Sequence, residues 1–279
     1  MSPFRAAAHA ATSVDRLGLA FAVGYPAALQ HMVPESVLPC ALCVTEAEGG
    51  HPRAIKAALT PVEDGQGYRL NGTKTFVTFG NLARTLIIAV RAGEQPDGRP
   101  ELAVIRIPAD REGVVLEELP ATPFVPEVPH ARVAFQNALV AENERLPGDG
   151  YLQYVKPFRT IEDIHVFGCA VSYLLGLSRR VGAPGDLLAE LSAVLVTLDT
   201  LSAAPPLDPQ VHVTLHGVHQ ALSRLAQGDA LAGVWHEAPA EERARWERDQ
   251  KLLQVADTVR EARFRKAAAH LGIDAGTSS

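Results

Sequence analysis

Four groups of residues in this chain have types and spacings that could do chemistry. Cys40-Ala-Leu-Cys43 is a Cys-x-x-Cys, the spacing of redox dithiols and of half a zinc site. A second cysteine pair is lacking, and in an extended strand positions i and i+3 face opposite sides, so these thiols are read as structural. His212, His216 and His219 fall on one helical face at i, i+4 and i+7. Histidines so spaced can ligate zinc, but no His-Glu-x-x-His pattern accompanies them; a polar helix face or subunit contact is the reading, and no metal site is assigned. Glu162 and Asp163 lie in Phe158-Arg-Thr-Ile-Glu-Asp-Ile164. Adjacent carboxylates suit the first turns of a helix through its dipole, and they are also the group type that removes a proton from carbon. The fourth group is a pair of stretches, Cys43-Val-Thr-Glu-Ala-Glu-Gly-Gly50 and Tyr68-Arg-Leu-Asn-Gly-Thr-Lys-Thr-Phe-Val-Thr78. Their hydroxyls and aromatic ring are either ordinary alternating strand residues or one side of a binding site.

The elements that must position these groups change character along the chain. Residues Ser13 to Leu29 carry apolar positions at helical spacing, and Pro34 closes that segment because proline cannot continue a helix. From Val37 to about Leu146 the chain reads as short β-branched runs: Ala41–Thr45, Ile55–Pro61, Gly67–Leu70, Thr75–Thr78, Thr85–Val90, Leu102–Ile107, Val114–Leu119 and Ala131–Phe135. Asp64-Gly65 and Asn71-Gly72 are pairs suited to tight hairpins, and Pro96-Asp-Gly98 to a loop. An antiparallel barrel or sandwich follows. After Gly150 the period shifts to about 3.6, giving helices near Val155–Val181, Gly185–Ala203, Gln210–Ala226 and Pro239–Leu271, with Trp246, Leu253, Val255 and Phe264 as buried positions of the last. Four such helices suit an antiparallel bundle. The expected organisation is a short helical segment (1–36), a β-domain (37–150), a helical bundle (151–271) and a frayed tail (272–279), an α+β chain.

Composition bounds the function. The chain has 279 residues, 47% hydrophobic and 21% charged, with 26 Lys plus Arg against 32 Asp plus Glu for a net charge of -6. No basic stripe with interleaved aromatics suggests a nucleic-acid partner, and no uncharged run approaches the roughly 20 apolar residues of a bilayer span. Three cysteines, an odd number, argue against a disulfide framework and fit a reducing, cytoplasmic setting.

The layout and motifs together resemble the acyl-CoA dehydrogenase family. Its pattern Thr-Glu-Pro-x-Ala-Gly-Ser-Asp is similar to Thr45-Glu-Ala-Glu-Gly-Gly-His-Pro52, and Asn-Gly-Thr-Lys-x-Trp-Ile-Thr to Asn71-Gly-Thr-Lys-Thr-Phe-Val-Thr78. Ala103-Val-Ile-Arg-Ile-Pro108 with Gly113-Val114, and Val133-Ala-Phe135 through Leu146-Pro-Gly148, resemble the strands and loop that follow. The resemblance implies FAD, with Phe76 as the wall of the isoalloxazine, Thr78 as the N5-side hydroxyl, Val77 between them, and Thr45 at the pyrimidine edge. His51 stands where the family has Ser and is either a phosphate contact or a surface loop histidine. The implied reaction is α,β-dehydrogenation of an acyl thioester, with electrons leaving to an electron-transfer flavoprotein from a homo- or hetero-oligomer. Some members carry the base on the first C-terminal helix, about a dozen residues after a Gly-x-Tyr/Phe turn; Gly150-Tyr151 to Glu162 has that spacing within one residue, which makes Glu162 the candidate base and Asp163 its substitute. The family's Arg-x-x-Phe-Gly and Gly-Gly-x-Gly-Tyr elements are not found, and the N-terminal helical segment is shorter than the family's. The alternative expectation is therefore a truncated, non-catalytic subunit that partners a complete dehydrogenase.

Overall fold

The computed structural model describes residues 1–274 apart from Asp64 and Gln66. Asp64 of the expected Asp64-Gly65 turn and residues 275–279 of the tail lie outside the described residues. Two compact units form: a β-rich unit of Leu29–Thr122 and Pro126–Arg159, and a helical unit of Met1–Ala28, Pro123–Val125 and the chain from Thr160 onward.

The β-rich unit holds one seven-stranded sheet: β1 (Cys40–Cys43), β2 (Ala58–Pro61), β3 (Tyr68–Thr78), β4 (Thr85–Glu94), β5 (Pro100–Pro108), β6 (Val114–Glu118) and β7 (His130–Val140). Its order is β1-β4-β2-β3-β7-β6, with β5 also on β4. β3–β7, β4–β5, β6–β7 and β2–β3 are antiparallel as expected. The sheet is nonetheless mixed, because β1 and β2 each run parallel to β4. A parallel partner requires a crossover of a dozen or more residues, and the β2–β3 hairpin between β1 and β4 supplies it. Thr85 to Val90 are all buried in β4, and Leu70, Val77, Ile105, Ile107, Val133 and Phe135 complete the core.

Asn71-Gly72 does not make the expected hairpin turn. It lies inside β3, where the register against β7 shifts between Leu70 and Gly72. Gly72 has φ 139°, and a Cβ there would stand 2.5 Å from the Ala57 Cα, so only glycine lets the two backbones approach. Asn71 meanwhile clasps β7, its Oδ1 accepting from the Asn137 N–H at 2.9 Å. The Pro96-Asp-Gly98 loop forms as expected, with Gln95 N–H donating to Arg99 O at 2.7 Å.

The helices are α1 (Pro3–Ala11), α2 (Leu17–Met32), α3 (Lys156–Arg180), α4 (Gly185–Ser202), α5 (Pro209–Gln227), α6 (Asp229–Glu237), α7 (Ala240–Asp249) and α8 (Asp257–His270). Their boundaries follow local chemistry. Asp208 caps α5 by accepting from Gln210 N at 2.8 Å, and Gly182 at φ 70° ends α3. The single last helix expected from the sequence is divided into α7, a 3-10 turn (Gln250–Gln254) and α8, and α6 precedes it. The break falls at Ala256, which adopts φ 70°. Arg260 stabilises it by donating to the Leu253 carbonyl at 2.7 Å. Trp246 is buried, whereas Val255, next to the break, is 44% exposed rather than buried.

One helical stretch, Tyr151–Arg180, contains an 18-residue window with the hydropathy of a bilayer span, but 89% of that window is buried inside the protein. The reason includes its contacts with α1. A Cβ on Gly176 would stand 1.9 Å from Thr12 O, and one on Gly168 2.4 Å from the Phe4 ring.

Gly176→Ala should therefore destabilise the helical unit by about 1–3 kcal/mol, read as a lower urea midpoint. Gly217→Ala, in α5 with nothing within 4 Å of the added Cβ, should stabilise the unit by roughly 0.5–1 kcal/mol and so raise the midpoint. Equal behaviour of the two would contradict the close α1–α3 approach.

Candidate functional site

The most developed surface of the β-rich unit centres on a second irregularity of β3. Lys74 pairs with Val133 and Val77 with Ala131, so three steps along β3 match two along β7. This bulge turns both Lys74 and Val77 into the core and leaves Thr75 and Phe76 between them. Phe76 is 48% exposed and stacks on His130, with centroids 4.0 Å apart and planes 26° apart. Thr78 is the cross-strand partner of His130. His130 is itself buried, which lowers its pKa, and it backs the Phe76 ring. Its role was not visible in the sequence, because it lies about fifty residues from the motif it supports.

Thr45 is brought beside the same strand: its carbonyl accepts from the Thr75 N–H at 2.9 Å. The hydroxyls of Thr45 and Thr78 are engaged by no other side chain among the described residues. Val77 contributes only backbone to this face, since its side chain is fully buried. His51 is exposed, and its Nδ1 accepts from Arg53 N at 3.2 Å to start the 3-10 turn Pro52–Ala54.

Beneath this face lies a buried ion pair. Lys74 is 0% exposed and donates to Glu46 Oε1 at 2.8 Å, Ala89 O at 2.7 Å and Val44 O at 3.2 Å. Burial lowers the Lys74 pKa, and the Glu46 carboxylate counters that shift. Glu46 also accepts the backbone N–H groups of Lys56 at 2.9 Å and Ala57 at 3.0 Å. An open groove of about 440 Å³ adjoins the pair, lined among others by Thr73, Thr75, Lys56 and Arg132.

In the helical unit the two adjacent acids part ways. Glu162 is partly exposed on α3. Asp163 is buried and accepts from Arg260 of α8 at 3.1 Å. The expected histidine face is used for packing: His216 stacks on Phe264 with centroids 3.7 Å apart, and His219 meets the Phe167 edge at 4.5 Å. Burial first, then Arg260, lowers the His219 pKa to about 4. Among the described residues no cluster of three or more His, Cys, Asp or Glu is arranged to hold a metal. Cys40, Cys43 and Cys169 are free, buried thiols, each pushed up to about 12 by burial, which suits packing rather than nucleophilic chemistry.

Residues 41–138 match the family model "Acyl-CoA dehydrogenase, middle domain". This segment is similar to the middle domain of acyl-CoA dehydrogenases. It is 31% identical over 78 residues to the probable acyl-CoA dehydrogenase FadE10 of Mycobacterium tuberculosis, a match covering 28% of this chain and 12% of that one. Benzylmalonyl-CoA dehydrogenase of Aromatoleum aromaticum is 27% identical over 144 residues, 50% of this chain and 35% of the relative. Both matches thus span well under half of the relative's length. The fold is also that of a solved FAD-dependent dehydrogenase, at a TM-score of 0.68 and 15% identity, covering 97% of this chain and 84% of the other. The family of that middle-domain model is the one whose resemblance implies a flavin. The face on β3 fits one: the half-exposed Phe76 ring offers a flat wall, Thr78 follows it on the strand, and Thr45 is tied to the adjacent Thr75 through its carbonyl.

Two outcomes check the physics of this site. Glu46→Gln should cost about 3–5 kcal/mol in urea unfolding because the Lys74 ammonium stays buried without its counter-charge; the double change to Lys74→Met and Glu46→Gln should cost less. For His219 the unfolded chain binds a proton near pH ~6.5 while the folded imidazole resists it until about pH 4. Stability should therefore fall as pH drops through that window, and His219→Phe should flatten the slope.

Proposed function

We propose that this protein is a flavoprotein that dehydrogenates an acyl thioester at Cα–Cβ, with FAD against the Phe76 face and Glu162 as the base. The observation that carries this reading is the Phe76 ring, held out on a bulge, backed by His130 and flanked by Thr78. It occurs in the segment that matches the family's middle domain. When bound, a flavin supplies the hydride acceptor. This chain's residues supply the rest. Phe76 would shield such a group from water, Thr78 and Thr45 would offer it hydroxyls, and the Lys74–Glu46 pair holds the backbone that carries these residues. Glu162 takes the α-proton and becomes a carboxylic acid; the Cα–H and Cβ–H bonds break as the Cα=Cβ bond forms. Asp163 is engaged by Arg260, which argues against it as the base. Reoxidation by an electron-transfer flavoprotein, a homo-oligomeric state, a cytoplasmic location and a place in fatty-acid metabolism complete the proposal.

The purified chain should take up FAD saturably and turn yellow, and Phe76→Ala should weaken that uptake. With a turned-over acyl thioester, Glu162→Gln should lower kcat by about 10²–10⁴ while flavin uptake is unchanged. A chain that takes up no FAD and co-purifies with a complete dehydrogenase would instead be the non-catalytic subunit.

A further inference from the structure

We propose that His130 is a positioning residue of the candidate site, whose imidazole holds the Phe76 ring out as a flat wall through ring-on-ring contact rather than by filling space. The inference rests on the proposed function for what the wall is for, and on the β-rich unit alone for how the wall is held.

Three observations carry it. First, the sheet does not fix the Phe76 ring. Lys74 pairs with Val133 and Val77 with Ala131, so Thr75 and Phe76 together face Arg132 and have no ladder partner of their own. In a bulge the strand's alternation no longer dictates where a side chain points. Thr75 is tied elsewhere, its N–H donating to the Thr45 carbonyl at 2.9 Å. Phe76 is 48% exposed, so packing on the core leaves its orientation open, and its one ring contact among the described residues is with His130.

Second, His130 is anchored. It is the buried first residue of β7, in register with Thr78. Its carbonyl accepts the N–H of Leu119, just after β6, at 2.8 Å. The carbonyl of the preceding Pro129 accepts the Phe79 N–H at 2.8 Å, where the chain leaves β3 with φ 59°. The imidazole also hydrogen-bonds to the Val128 backbone. A ring stacked on a residue held by the chain on both sides takes its position from that residue. Since Thr78 is the register partner of His130, the same anchor sets the wall and the hydroxyl side by side.

Third, the contact has the geometry of a ring pair. The centroids are 4.0 Å apart and the planes 26° from parallel. Aromatic pairs of this kind contribute beyond the area they bury, which an aliphatic side chain of similar bulk does not reproduce. Burial lowers the His130 pKa, so at neutral pH the ring lends Phe76 a flat face without a charge.

The test compares His130→Phe, which keeps a flat ring, with His130→Leu, which keeps apolar bulk without one. Two quantities are read on the full chain at neutral pH: the NMR shifts of the Phe76 ring protons without ligand, assigned by their loss in Phe76→Leu, and FAD affinity by fluorescence titration. His130→Phe should keep the Phe76 signals ring-current shifted and FAD affinity within about threefold of the unaltered chain. His130→Leu should move those signals to the positions of a solvent-averaged ring and weaken FAD by about 3–10-fold. The proposal is overturned if His130→Leu leaves either the Phe76 signals or the FAD affinity unchanged, or if His130→Phe behaves as His130→Leu does. An unaltered chain that takes up no FAD overturns the flavin reading alone, and the Phe76 signals then decide for or against His130 by themselves. Should His130→Leu fail to fold, His130→Met, apolar and ringless, takes its place with the same expectations.

Discussion

An ammonium ion inside a β-sheet sets the geometry of the β-rich unit's candidate face. Burying a charge costs several kcal/mol unless a counter-charge and further hydrogen bonds replace its water. Lys74 has three donor hydrogens, and each has an acceptor: a carboxylate oxygen of Glu46 and the carbonyls of Val44 and Ala89. Those acceptors come from the segment after β1 and from β4, so one side chain ties three parts of the chain together. The Glu46 carboxylate extends the tie by accepting two backbone N–H groups ahead of β2. Thr45, Thr75 and Phe76 lie next in sequence to these residues, and their placement follows from it.

The helical unit shows the same economy of charge at a different place. Arg260 joins the end of the 3-10 turn, the first turn of α8 and Asp163 of α3. Asp249, fully buried, accepts from the Val125 N–H at 2.7 Å and so pins the short Pro123–Val125 segment. In both cases a charged side chain fixes irregular backbone that hydrophobic packing alone would leave undetermined. Glu162, one residue from Asp163 but on another side of the helix, stays partly exposed.

Much of this architecture was legible in the sequence, and the misreadings have definite causes. The alternation of apolar residues marks strands because one sheet face is buried, so β4, β5 and β6 fall close to where the runs place them. Alternation carries no strand direction, so the parallel β1–β4 pairing was invisible. Asn71-Gly72 looks like a hairpin turn because positive φ suits turns and bulges alike; only the approach of Ala57 decides which it is. The Ala256 break carries neither glycine nor proline and depends on a guanidinium from within α8. For the site, Phe76 and Thr78 were legible through their motif, whereas His130, Asp249 and Arg260 act across distances that local pattern does not reach.

The bulge in β3 also bears on how this face can change over generations. Lys74 and Val77 both point inward with two residues between them, one more than regular alternation needs. The surplus position lies outside the sheet's apolar core, so exchanging the aromatic residue there alters its stack with His130 but not the packing of that core. Descendants of one ancestral sheet can thereby present different rings, or none, on a nearly constant scaffold.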